Sequence, residues 1–393
     1  MSTQNKQNKE SKLLQPFNTF TLFVVCASGL SILGLVMVFS ASTIYSTKVN
    51  GNTYGTFVRQ LVFLIAALPI AWVAAKLRLN LWRLIGKYAL LISIGILAVL
   101  LVPGVGRTVN GNTNWIGVGP FVVQPSEFAK FLMIIWAATM LAKYQEAGIV
   151  RTNVLKLIVP GYLGVLFFVL LGRDLGTAAV IGATMAGLLF VSGIPLRLFG
   201  TISAIGMTGV SALILSAPYR AERFLVVLNP FAEESYKYYG WQPAHSLMGL
   251  ATGGFLGVGL GASRQKWGYL AEAHTDFIFS VIGEELGLLG TLATILLFSG
   301  LIFSIFRIAM RATDPMVRFA CAGIGVWISI QCFFNIGSAI SLVPVVGVTL
   351  PLISYGGSSL IATYIALGFV LGAGMRDPEV ARGIRELRKS SKK

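Results

Sequence analysis

Acidic residues are scarce in this chain of 393, which holds four Asp against 31 Lys and Arg, and only two His. Cysteine is nearly as rare: Cys26, Cys321 and Cys332 form no CxxC pair and have no His at ligand spacing, so neither a disulfide framework nor a zinc cluster is indicated. There is no Walker motif, and no glycine fingerprint between a strand and a long helix, so the chain has no evident means of drawing on ATP or a dinucleotide. The glycines at 249, 253, 254, 257, 259 and 261 are read instead as tight packing or close approach to a lipid headgroup. Charged residues make up only 12% of the chain and form no aromatic-interleaved basic domain, so the net charge of +16 is no footprint for nucleic acid.

What the chain has in abundance is apolar surface. Hydrophobic residues are 55% of the total and the mean hydropathy is +0.77, too apolar for a soluble domain. A helix needs roughly 20 apolar residues to cross about 30 Å of hydrocarbon. About ten windows qualify: 17–43, 57–75, 88–103, 125–143, 157–172, 174–194, 199–216, 276–306, 319–342 and 358–375. The first is longer than a signal-peptide core and lacks a cleavage site, so it reads as a retained span. The expected fold is an all-α polytopic membrane protein: a tail at 1–16, a transmembrane domain at 17–375 and a basic tail at 376–393. An even number of crossings puts both ends on one side. The tails and alternate loops on that side hold 21 of the 31 basic residues, which marks it as cytoplasmic.

Two outer connections are long. Residues 104–124 are rich in Gly and Asn, and 217–275, between the seventh and eighth spans, contain AERFLVVLNPF and WQPAHSLMGLATGGFLGVGLG, which read as short surface or re-entrant helices. Beyond them comes YLAEAHTDFIFSVIGEELG, where His274 and Asp276 stand at the mouth of an apolar run. On a continuous helix Glu284 and Glu285 would lie roughly 12–13 Å below Asp276. That is too far for the carboxylate pair of a glycosidase, set ~5–9.5 Å apart. The pattern describes a site with one carboxylate, and one base suffices when the leaving group departs as a stabilised anion. An activated, lipid-linked diphosphate donor meets that condition and needs no ATP outside the cell. Arg107, Arg220, Arg223, Lys237, Arg264 and Lys266 are the outer cations able to hold such a diphosphate.

Each of these residues also has a plain structural reading. Asp276 with Thr275 makes a good helix N-cap, and a cap does not exclude a base. His274 suits a proton relay or a backbone contact. Glu127 and Lys130, three apart in QPSEFAK, suit either a packing ion pair or substrate contact. Glu284 and Glu285 read as structural or coupling groups, and Arg173–Asp174 as a turn between helices.

GYLAEAHTDFIFSVIGEELG, NGNTNWIGVGPFVVQPSEFAK, RDLGTAAV, SLMGLATGGFLGVGLGASRQKWGYL and VGVTLPLISYGGSS together resemble, in order and over nearly the whole chain, the SEDS family (shape, elongation, division, sporulation). The wording around EAHTDFIF is nearer its division members than its elongation members. The resemblance implies a ten-helix glycosyltransferase that polymerises lipid II beside a class B penicillin-binding transpeptidase and other divisome membrane proteins. It implies Asp276 as the catalytic residue and functional roles for Glu127 and Lys130. It requires no organic cofactor, with a divalent cation, Mg or Mn, as an optional assistant at the diphosphate. Three positions depart from the family pattern: Asn114 stands where an Arg is common, Ala271 where Pro is usual, and Gly172–Arg173 where Gln-Pro is common. The rival classes are a lipid II flippase, which calls for polar residues along a path through the spans, and a scaffold that only activates a transpeptidase.

Overall fold

The computed structural model describes residues 15–109, 112–118, 121–148, 151–215 and 218–390. The N-terminal lysines 6, 9 and 12 and the side chain of Arg220 lie outside the described residues. Ten apolar helices stand where ten spans are expected: α1 (Pro16–Asn50), α2 (Gly55–Lys76), α3 (Leu79–Val99), α4 (Pro125–Glu146), α5 (Arg151–Leu171), α6 (Leu175–Val191), α7 (Leu196–Leu215), α11 (Ile278–Arg311), α12 (Pro315–Ala339) and α13 (Gly357–Met375). Seven of them are long and apolar enough to cross a bilayer, and α5, α6 and α7 contribute shorter apolar stretches.

The bundle is graded from centre to rim. Within their most apolar windows α4, α12 and α13 are 72–78% buried, whereas α2 and α3 are only 22–28% buried, so the first three form the core and the last two face outward. Small residues let the backbones close up: a Cβ on Gly368 or Gly372 of α13 would run into the Ala71 or Ala75 carbonyl of α2. At one end of the bundle Phe17 packs on Gly383 of a further helix, α14 (Pro378–Ser390), so the described parts of both termini lie together. The same end is tied by Arg83 to Asp314 (2.9 Å) and Arg311 to Asp377 (3.0 Å).

Two features depart from the sequence expectation. The 104–124 connection is not a plain loop; it folds into an antiparallel sheet of β1 (Gly106–Val109), β2 (Asn112–Val118) and β3 (Phe121–Val123), with Arg107 opposite Trp115 and Ile116 opposite Val123. Its Thr113 N–H donates to the Gly172 carbonyl (3.0 Å), docking the sheet on the α5–α6 turn. The basic tail after 376 is also largely helical, since it contains α14.

The long connection between α7 and α11 holds α8 (Pro218–Leu225), α9 (Glu233–Tyr236) and α10 (Trp241–Gly253). It is fastened to α11 through a break in that helix. Gly287 adopts φ 66°, ψ −162°, a conformation open essentially to glycine alone. The backbone groups freed by the break are taken up by the glycine-rich segment. Val258 and Gly259 N–H donate to the Glu284 and Glu285 carbonyls (2.9 and 3.1 Å), while Leu288 N–H donates to the Gly254 carbonyl (2.9 Å). Gly253 and Gly257 therefore serve close backbone-to-backbone packing against 283–287.

Candidate active site

The turn that presents Asp276 is built on Glu272, a non-glycine residue at φ 55° whose carbonyl accepts the N–H groups of Thr275, Asp276 and Phe277 (3.0–3.2 Å). Thr275 Oγ1 donates to the Glu272 carboxylate (2.7 Å), and helix α11 starts two residues beyond Asp276 with no side-chain cap. The capping reading of Asp276 and Thr275 is thereby set aside. No described residue donates a hydrogen bond to the Asp276 carboxylate, which is half-buried beside Gly347: a Cβ on that glycine would lie 3.6 Å from Oδ2. Gly347 also sits at φ 69°, so a side chain there would strain the backbone.

Three elements hold this turn in place. From α12, Asn335 Nδ2 donates to the carbonyls of Asp276 (2.8 Å) and Val348 (2.7 Å), pinning the turn to the facing segment. One turn earlier on the same face, Gln331 Nε2 donates to the Thr349 carbonyl (2.9 Å), while its Oε1 accepts from Lys130 Nζ (3.1 Å) and Trp327 Nε1 (2.6 Å). From the segment before α13, Ser354 Oγ donates to the Thr275 carbonyl (2.5 Å) and Tyr355 N–H to the His274 carbonyl (3.0 Å).

Electrostatics at the turn favour a proton on Asp276. Loss of bulk water, and then the carboxylates of Glu272 and Asp174, push its carboxyl up to about 7. Asp174 is itself buried, and its carboxyl is likewise raised by burial, opposed by hydrogen bonds from the Thr177 N–H (2.9 Å) and Oγ1 (2.6 Å) and by Lys130. Behind it lies the buried pair of Glu127 and Lys130, 2.7 Å apart, in which Glu127 Oε2 has no partner among the described residues.

The remaining candidates are dispersed. His274 is buried with its ring between Tyr45 and Tyr355, centroids 4.4 and 5.7 Å away, and burial lowers its pKa against the pull of Glu272. It is held neutral and fixed there. Lys266 is buried in a pair with Glu285 (2.9 Å) and also donates to Ser40 Oγ (3.1 Å), so its charge is already matched. Glu284 accepts from Ser263 Oγ (2.5 Å) and the Arg264 N–H (2.9 Å), leaving the Arg264 side chain exposed. The two glutamates thus anchor the 263–266 loop. Arg107 lies exposed on β1 with its guanidinium over Gly117.

Sequence reasoning missed two participants. Asp174 reads in the sequence as part of a turn, yet its carboxylate adds, after burial and Glu272, to the rise at Asp276. Arg59 on α2 is an exposed cation beside Tyr355, next to the Asp276 turn; only the topology brings it there. Two of the departures from the family pattern face each other: a Cβ on Gly172 would lie 2.6 Å from Asn114 Oδ1, so the small residue at one makes room for the other. Among the described residues no three His, Cys, Asp or Glu side chains gather as a metal cage.

Fold and site together define a polytopic membrane protein with a cluster of carboxylates, Asp276, Glu272 and Asp174, at the bundle end opposite its termini. A family model described as a cell cycle protein, FtsW/RodA/SpoVE, matches residues 20–377. The probable peptidoglycan glycosyltransferase FtsW of Coxiella burnetii is 38% identical over 357 residues, 88% of this chain and 94% of that protein. Stage V sporulation protein E of Bacillus subtilis is 38% identical over 354 residues, 89% and 95% of the two chains. Among solved structures, a chain from a peptidoglycan synthase complex superposes with a TM-score of 0.71 at 28% identity, covering 90% of this chain and 96% of that one. The rod shape determining protein RodA of Thermus thermophilus gives 0.66 at 27% identity, covering 90% and 95%. The chain belongs to the FtsW/RodA/SpoVE family.

Proposed function

We propose that this protein is a peptidoglycan glycosyltransferase that polymerises lipid II into β-1,4 glycan strands in septal wall synthesis. Asp276 is the general base. Its carboxylate takes the proton of the acceptor GlcNAc 4-hydroxyl, and O4 attacks the anomeric carbon of the donor MurNAc from the face opposite the diphosphate. The bond from that carbon to the phosphate oxygen breaks, its electron pair leaves on undecaprenyl diphosphate, and the centre inverts. No acid is needed for a leaving group that departs as an anion.

The observation that carries this reading is the half-buried Asp276 carboxyl, which accepts no hydrogen bond among the described residues and is pushed up to about 7 by burial and by Glu272 and Asp174. A base works best with a pKa close to the working pH. Arg59, Arg107 and Arg264 are exposed cations of the same bundle end and are the side chains assigned to the departing diphosphate. Lys266, with its charge matched by Glu285, acts by holding the 263–266 loop. Glu127 and Lys130 support the groove from behind, where the unpartnered Glu127 Oε2 is available to a substrate hydroxyl or water. A Mg or Mn ion would be carried in by the diphosphate itself. The basic end of the bundle faces the cytoplasm, the groove faces outward, and the partner is a class B penicillin-binding transpeptidase.

The test is purified protein with its transpeptidase and labelled lipid II, wild type beside Asp276→Ala. Polymer from the wild type alone supports the assignment. Equal polymer from both contradicts the role of Asp276, and lipid II crossing vesicles without polymer from either points to a flippase.

A further inference from the structure

A separate cleft of about 340 Å³ opens beside the groove, between α8, the start of α10 and the segment at 341–345. That volume lies within the ~300–1,000 Å³ of small-molecule sites. Its walls carry Arg223, Lys237, Tyr238, Tyr239, Trp241 and Gln242. Tyr238 is 75% exposed, and the Arg223 guanidinium lies over the Tyr239 ring, 5.6 Å from its centroid. Trp241 is held rigid: its Nε1 donates to the Tyr269 carbonyl (2.5 Å) and its ring packs between Tyr236 and His245. Neither Arg223 nor Lys237 is paired with a carboxylate among the described residues. Ala271 and Val345 also line the cleft, and they belong to the two segments that carry Asp276 and Gly347. The cleft therefore adjoins the turn that presents Asp276.

Flat aromatic faces beside an amide and two unpaired cations suit an acidic saccharide. Pyranose rings present apolar faces to aromatic side chains, amides pair with acetamido and hydroxyl groups, and cations take carboxylates. Tyr and Trp of an interfacial belt sit at headgroup level against lipid, whereas these line a concave wall with the cations. We propose that this cleft is a saccharide subsite holding the growing strand beyond the sugar at Asp276: a ring on the exposed Tyr238, acetamido groups on Gln242, and lactyl or peptide carboxylates on Arg223 and Lys237. The proposal rests on the glycosyltransferase reading above. Retention at this subsite keeps the strand bound between additions and so sets its length.

The test uses the full chain with its transpeptidase in lipid II vesicles, reading strand length on gels. Binding of a lipid-free GlcNAc–MurNAc-peptide tetrasaccharide is read in parallel by tryptophan fluorescence. Tyr238→Ala and Arg223→Ala are each expected to shorten strands several-fold and weaken tetrasaccharide binding about tenfold. Tyr238→Trp is expected to restore both, and Trp267→Ala, an exposed aromatic outside the cleft, to match wild type. Unchanged strand length and binding in the first two variants overturn the subsite. So does a loss confined to co-purification with the transpeptidase, which makes the cleft a protein-docking surface. Should the wild type make no polymer, the glycosyltransferase reading fails, while tetrasaccharide binding lost in Tyr238→Ala still supports a saccharide cleft.

Discussion

At the scale of single residues, the proposed chemistry turns on a carboxyl whose pKa is raised towards neutrality. Burial contributes most to the elevation of Asp276, and the carboxylates of Glu272 and Asp174 add to it. A base must be ionised to act, so turnover is expected to rise with pH through a limb near 7 and level off above it. Asp174→Asn keeps a side-chain oxygen for the Thr177 N–H and removes the negative charge. Less repulsion means a lower pKa for Asp276, so the acid limb is expected to move to lower pH; a pH–rate profile checks this, and an unmoved limb would detach Asp174 from the site. Much at this scale was legible. HTD beside an apolar run singles out Asp276 because charge is expensive there unless used. Asp174 and Arg59 were not legible as members of the site, because their approach to the Asp276 turn depends on how α2, α6 and α11 pack, and no local pattern encodes that.

At the scale of elements, the outer loop is joined to the bundle through a break in α11 and a buried ion pair. Any side chain at position 287 meets both the glycine-only backbone region and the 255–257 backbone. Gly287→Ala is expected to cost at least about 1–3 kcal/mol, seen as a lower melting temperature in detergent. Lys266→Met leaves Glu285 buried without its cation and is expected to cost about 3–5 kcal/mol. Adding Glu285→Gln should recover much of that loss, and the same melting curves report it. The helices were legible from runs of apolar residues, and their ends fall within a few residues of expectation except where α3 and α5 begin earlier and α1 and α11 run on to Asn50 and Arg311. The sheet at 106–123 was hidden by its Gly and Asn content, which reads as loop. The break at Gly287 was hidden because glycines stand at 283, 287 and 290 in one mostly apolar run and nothing local marks which of them breaks the helix.

At the scale of the whole molecule, the account requires that the groove and the termini lie on opposite sides of the membrane. In a background without native cysteines, Glu272→Cys is expected to react with an impermeant maleimide added outside cells, and Arg382→Cys only after permeabilisation. The reverse pattern would place the groove in the cytoplasm, away from its proposed acceptor. The expected orientation rests on the count of crossings and the lopsided Lys and Arg, both properties of the chain as a whole. What holds the molecule together around the groove is the reach of α12, whose Gln331 and Asn335 tie α4, α11 and the 345–349 segment to one face. The most direct measurement of the central claim is the single-turnover rate of glycosidic bond formation by Asp276→Asn with lipid II bound. A lost general base is expected to slow that step by about 10²–10⁴-fold with lipid II binding retained. A rate within a few-fold of wild type would show that another group takes the proton.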